Sequence, residues 1–169
     1  RDGNGNDLTV CPRSLLKKII RQAAVQGYTP FFSQEFEWFN LVDNTDELYA
    51  GKFRDVKPMT QGMFGYSLQR AAERKDYFND LFDLLKKFGV PIEGLHTETG
   101  PGVYEAAIAY SEILEAADRA VLFKSGVKQI AQQHGVIATF MAKFNEALPG
   151  CSGHVHQSFW SAKKKKNLI

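Results

Sequence analysis

The sequence predicts an α+β fold, with mainly antiparallel strands and helices packed outside them. Three observations carry this. Tyr28–Leu41 alternates large aromatic and polar residues with the period of two that a half-buried strand requires. Val90–Glu98 and Val103–Ala109 are extended stretches flanking the turn Thr99-Gly100-Pro101-Gly102, which reads as a hairpin and so as antiparallel pairing. Three segments, one before the first strand and two between strands, repeat apolar residues at the helical spacing of three and four.

The elements follow in order. Residues 1–9 are polar and glycine-rich and read as a loop or the end of a hairpin. Pro12 suits the first turn of a helix, and Leu15, Leu16, Ile19, Ile20 and Ala23 give it an apolar face that Gly27 terminates. After the aromatic strand, Asp43–Pro58 is polar and irregular and is expected to be a surface insertion. Met59–Tyr66 reads as a packed loop and Ser67–Arg74 as a short helix. Asp76–Phe88 should be a longer helix with Phe78, Leu81, Phe82, Leu85 and Phe88 on one face and Gly89 past its end. The hairpin then brings Glu98 and Glu105 near one another. Ser111–Gln133 is the longest helix, with Ile113, Leu114, Ala117, Val121, Ile130 and Ala131 expected inward and Gly126 interrupting it. His134-Gly135 stops it, and Val136–Met141 is an apolar strand. Asn145–Gly150 is a loop. In the strand Gly153–Trp160, His154, His156 and Ser158 share one face, and Val155 and Phe159 take the other. The lysine run 163–166 is expected to be a solvated hairpin tip.

With 169 residues, 44% of them hydrophobic, the chain can bury the core of one domain, and thirteen Phe and two Trp argue against disorder. A net charge of +2 gives no electrostatic signature of a nucleic-acid partner. No apolar run approaches the roughly 20 residues needed to cross a bilayer. Cys11 and Cys151 are far apart and read as reduced thiols in a cytoplasmic protein.

The chemistry concentrates on Gln34-Glu35-Phe36-Glu37-Trp38-Phe39. Side chains two apart on a strand share a face, so Glu35 and Glu37 stand together while Phe36 and Trp38 face the other way. Two like charges on an otherwise apolar strand call for a positive partner or for solvent. Glu98, Glu105 and His154 are the further candidates for a cation site. Carboxylates suit Mg²⁺, and an imidazole shifts the preference toward Mn²⁺. His96 reads as a strand histidine at the rim of such a site. His134 reads as a helix C-terminal histidine favoured by the dipole.

Four segments, in order and in spacing, resemble the catalytic domain of glutamine synthetase. Gln34–Phe39 is similar to the family's E-x-E-F strand, and Glu98–Glu105 to its E-x-x-P-G-Q-x-E segment. Phe123-Lys124 through His134–Lys143 resembles its long helix and H-G-x-x-A-T-F-M strand. Gly150–Ser158 resembles G-S-G-x-H-x-H-x-S. The likeness runs from about Asp2 to the last residue. The chain departs from the pattern at Val103, where Gln is usual, at Phe144, where Pro is usual, and at Cys151-Ser152-Gly153 before His154.

The resemblance implies a curved, mainly antiparallel active-site sheet with helices outside. It implies that Glu37, Glu98 and Glu105 hold a first Mg²⁺ or Mn²⁺, and that Glu35 and His154 supply two ligands to a second. Glu93, His156 and Ser158 would contact the nucleotide, and the backbone of Gly150 would face glutamate. The implied reaction activates the γ-carboxylate of glutamate with ATP, and ammonia or another amine then displaces phosphate. The family also implies a homo-oligomeric ring with sites shared between subunits. Its N-terminal β-grasp domain and its C-terminal part, with the phosphate-binding arginines, have no counterpart in residues 1–169. On that reading the chain is the central part of the domain and would not turn over alone. A non-catalytic structural homologue of the lengsin type is the alternative.

Overall fold

The structure is a computed structural model that describes residues 3–51, 54, 56–163 and 166–168. It is organised around one long strand. Helix α1 (Pro12–Val25) leads into β1 (Tyr28–Val42), which is followed by the short helices α2 (Thr45–Ala50) and α3 (Leu68–Glu73) and by α4 (Lys75–Lys87). The hairpin β2 (Ile92–Thr97) and β3 (Val103–Ile108) comes next, then the two-residue β4 (Ser111–Glu112), helix α5 (Ile113–Gln133), β5 (Val136–Thr139) and β6 (Gly153–Ser161).

All pairings in the six-stranded sheet are antiparallel, and β1 makes four of them. Glu35 pairs with Ala107 of β3 and also with His154 of β6, so β3 and β6 lie on opposite edges of β1. By the same reasoning β4 takes the β3 edge and β5 takes the β6 edge. β2 pairs with β3 through a bulge between Ile92 and Gly94.

Strand alternation then sorts the two faces. Phe36, Trp38, Leu95, Tyr104 and Ala106 point toward α4 and α5, where they join Tyr77, Leu81, Leu85, Phe123, Val127 and Ile130 in the main core. Trp38, Tyr104 and Phe123 are fully buried. Asn40, also fully buried, is satisfied from three directions. It accepts from Trp38 Nε1 (2.9 Å) and Tyr77 Oη (2.8 Å), and it donates to Gly102 O (3.0 Å). On the opposite face a smaller cluster forms around Phe39, Leu41 and Val103, with Val56, Ile137, Phe144 and Cys151 against it.

The turn between β2 and β3 depends on Gly102. Its φ is +72°, and a Cβ there would sit 2.5 Å from Asn40 O. Among the described residues, no helix is long and apolar enough to cross a membrane. Both cysteines are free.

Several expectations need correction. Asp43–Pro58 is not wholly irregular, because α2 forms in it and buries Leu48; Lys52, Phe53 and Asp55 lie outside the described residues. The inward stripe of α5 runs Ala116, Phe123, Gly126, Val127, Ile130 and Ala131. Val121, expected inward, is 70% exposed. The bulky Phe123 sets the phase of the stripe, which keeps Ile130 and Ala131 inward and turns Val121 out. On α4 the fully packed positions are Tyr77, Leu81 and Leu85, and Phe88 is exposed, because the helix ends there and the chain turns away. Helix α1 is amphipathic but buries no residue, and Leu15 and Ile19 remain exposed. Of the lysine run, Lys164 and Lys165 lie outside the described residues. Among the described residues beside them, Ser161 N–H donates to Lys166 O (2.8 Å).

Candidate functional site

The register places the acids. Glu37 pairs directly with Glu105, and Glu105 with His96, so three ionisable side chains lie in one row across β1, β3 and β2. Glu35 stands two residues from Glu37 on the same face, with His154 opposite it on β6. Glu98 lies just past the end of β2, its N–H bonded to Val103 O (2.9 Å). Like charges directly opposed on an antiparallel pair repel, so the row is held by other contacts.

Those contacts are specific. His96 Nε2 lies 3.3 Å from Glu105 Oε2, and its Nδ1 lies 3.8 Å from Glu98 Oε2. Glu35 Oε2 lies 2.9 Å from His156 Nε2 and 3.6 Å from His154 Nδ1. Glu37 accepts from the Ser152 N–H at Oε2 (2.9 Å) and from the Ser152 hydroxyl at Oε1 (3.1 Å). Glu98 Oε1 accepts from Thr99 N–H (2.7 Å), while its Oε2 is shielded from solvent and receives no hydrogen bond of normal geometry. Tyr66 covers His96, with ring centroids 4.5 Å apart and planes 25° from parallel. The loop carrying it is pinned by Tyr66 N–H to Thr97 O (2.7 Å) and by Thr97 Oγ1 to Phe64 O (3.1 Å), and Tyr66 adopts a φ of +55°.

Electrostatics follow from this crowding. Glu105 is buried, and burial, then the charges of Glu35 and Glu37, push its carboxyl above the usual range. For Glu98, burial acts upward. Hydrogen bonds from Thr99, with His96 and Tyr66, outweigh it and hold the carboxyl low. The Tyr66 phenol is raised, chiefly by the charge of Glu98.

The donor set fits a divalent cation. It offers carboxylate oxygens and imidazoles, an excess of negative charge in a half-buried patch, and, at Glu98 Oε2, a shielded carboxylate oxygen with no hydrogen bond of normal geometry. One ligand atom each from Glu35, His96 and Glu105 lie within 4.8 Å of one another, a spacing one ion can bridge. His96 was not among the candidate ligands read from sequence. Its i, i+2 relation to Glu98 on one strand face was the available signal.

Other candidates lie at the margins of this face. Ser158, paired with Phe31, accepts from Trp160 Nε1 (3.1 Å). Beside it Thr29, Phe31, Glu112 and Trp160 line a cavity of about 340 Å³. Glu93 sits exposed in the β2 bulge, outside the acid row. Gly150 is exposed in the loop before β6, and a Cβ there would meet Ala142 O at 2.7 Å.

Comparison with known proteins agrees with this architecture. The family model described as glutamine synthetase, catalytic domain, matches residues 9–169. The chain is 52% identical over 166 residues to type-1 glutamine synthetase 2 of Dictyostelium discoideum, covering 98% of this chain and 32% of that protein. It is 37% identical over 155 residues to glutamate–isopropylamine ligase of a Pseudomonas species, covering 92% of this chain and 34% of the relative. The solved structure of apo GmaS without ligand superposes with a TM-score of 0.82 at 28% identity, over 97% of this chain and 37% of that one. The chain therefore belongs to the glutamine synthetase catalytic-domain family. It spans about a third of the length of the curated relatives it matches.

Proposed function

We propose that the protein joins ammonia or another amine to the γ-carboxylate of glutamate at the expense of ATP, through a γ-glutamyl phosphate. The observation that carries this reading is the convergence of Glu35, Glu37, Glu98 and Glu105 with His96 and His154 on one sheet face. Glu37, Glu98 and Glu105 would hold a first Mg²⁺ or Mn²⁺, and Glu35 and His154 a second. Such cations, when bound, neutralise charge on the transferred phosphoryl group and align attacker and leaving group. Glutamate's γ-carboxylate oxygen attacks the terminal phosphorus and ADP leaves. The amine then attacks the acyl carbon, loses a proton, and phosphate departs.

His156 and Ser158 would contact the nucleotide; Ser158 pairs with Phe31, whose ring with Trp160 lines a cavity in which a base can stack, and the His156 imidazole, beside Glu35, can meet phosphate oxygens. Glu93, exposed in its bulge, contacts the nucleotide from the β2 side. The glycine at position 150 leaves its backbone free to face glutamate. The exposed apolar residues of α1, among them Val10 before it and Leu15 and Ile19 within it, suit a homo-oligomeric ring. The two free thiols suit the cytoplasm. The residues at the departures Val103, Phe144 and Cys151 meet in the cluster around Phe39. They change that cluster and leave the acids in place, which favours a ligase over a purely structural homologue.

The test uses full-length protein. ADP release should require glutamate and rise with an amine; no response to any of a panel of amines would overturn the reading. Mg²⁺ with nucleotide should raise the melting temperature, by the equivalent of about 2.7 kcal/mol at a hundred times Kd. Glu98→Ala should abolish the metal-dependent part of that rise.

A further inference from the structure

Ser152 holds Glu37, a candidate cation ligand, through both its backbone and its side chain. Its N–H and its hydroxyl bond the two oxygens of Glu37, and its carbonyl accepts from Glu37 N–H (3.1 Å). One residue thus grips another at three points. The location explains why. Along this edge of β1, β6 pairs with residues up to Phe36 and β5 begins at Phe39, leaving Glu37 in the gap between them. Ser152, immediately before β6, fills that gap.

The approach is fixed on both sides. Cys151 N–H bonds Ala142 O (2.7 Å), and the Cys151 side chain packs into the cluster of Phe39, Val103 and Phe144. On the other side Gly153 lies so close to β1 that a Cβ would stand 3.0 Å from Glu35 O and 3.2 Å from the Phe36 ring. The serine therefore arrives at Glu37 in one pose. Each carboxylate oxygen accepts a single hydrogen bond from it and keeps a further lone pair. The carboxylate plane is set while its coordinating capacity is retained, which is what a residue behind a metal ligand must achieve.

We propose that Ser152 is a positioning residue that orients the Glu37 carboxylate for divalent-cation binding. The proposal rests on the function proposed above and adds a residue to it. It makes the hydroxyl matter for metal affinity more than for stability, because Ser152 is exposed and its loss leaves no core cavity.

The experiment compares Ser152→Ala and Ser152→Thr with the parent in full-length protein. The readouts are Mn²⁺ affinity by calorimetry without substrates and melting temperature with and without Mn²⁺. Ser152→Ala should weaken Mn²⁺ binding about tenfold, the lower end for loss of such a partner, and leave the metal-free melting temperature nearly unchanged. Ser152→Thr, which keeps the hydroxyl, should restore the affinity. Unchanged Mn²⁺ affinity in Ser152→Ala would overturn the proposal, as would a metal-free melting temperature that falls as far as the metal-bound one. Failure of threonine to rescue would also count against it. Should the parent itself bind no Mn²⁺, the functional reading fails first, and the two failures are told apart.

Discussion

Glu105 carries the electrostatic cost of the site. Its carboxyl is raised by burial and then by the charges of Glu35 and Glu37, with Glu98 adding to them. A raised carboxyl favours the folded state when protonated. Its contribution is therefore fully present below the ordinary glutamate range and is lost as pH rises through the raised value. Without divalent cations, Glu105→Gln should melt higher than the parent at neutral pH, and the difference should vanish in acid. Thermal melts across pH 3–8 in a chelator test this, and saturating Mg²⁺ should reverse the order at neutral pH. At this scale the sequence was informative for strand residues and poor for loop residues. Glu35, Glu37 and Glu105 could be placed because period-two alternation is local. The grip of Ser152 on Glu37 and the cover of Tyr66 over His96 join residues far apart in the chain, which spacing does not report.

Strand β1 shows what the same logic achieves for an element. Its apolar side carries Phe36 and Trp38 into a nest of rings, with Trp38 5.7 Å from Phe123 and 6.1 Å from Tyr104. Trp38→Ala removes that ring and one donor to Asn40. It should cost about 3–5 kcal/mol, the usual range for emptying a large core site, measured by urea unfolding. The aromatic alternation made this strand legible from residue types alone. Helix α5 was legible in extent and only partly in phase. Of the apolar positions expected inward, Ile130 and Ala131 are buried and Val121 is exposed, while Phe123 and Val127 complete the buried stripe. Gly126, read as an interruption, lies in that stripe; a Cβ there would come 3.0 Å from Leu85 Cδ2, so the glycine lets α4 and α5 approach. Helix α2 escapes a reading by pattern because it starts in the polar run Asn44-Thr45-Asp46-Glu47 and buries a single residue, Leu48.

For the molecule as a whole, helices α4 and α5 lie against one side of the sheet, and the other carries the ionisable row beside the smaller cluster of Phe39, Leu41 and Val103. Helix α1 is the loosest part of this arrangement. It packs on β1 and α5, buries no residue, and is tied by Arg13 to Asp118 through two bonds of 2.8 and 2.7 Å. The Arg13 hydrogen bond holds the Asp118 carboxyl below its ordinary value. That stabilisation is present above the usual aspartate range and is lost as pH falls through the lowered value. Both partners are more than a third exposed, so the effect is small and screened by salt. Asp118→Asn should speed hydrogen exchange in α1 at neutral pH and low salt, with little effect on α5, and the difference should shrink as the pH falls below the usual aspartate range.

The pairing of Glu37 with Glu105 has a further consequence, for how the chain folds. A strand that slipped by one residue against β3 would turn Trp38 out to water and carry Glu37 into the rings of α4 and α5. The two errors reinforce each other, so a misregistered sheet is rejected before it consolidates. Assembly of the acid row is in this way proofread by the hydrophobic core behind it.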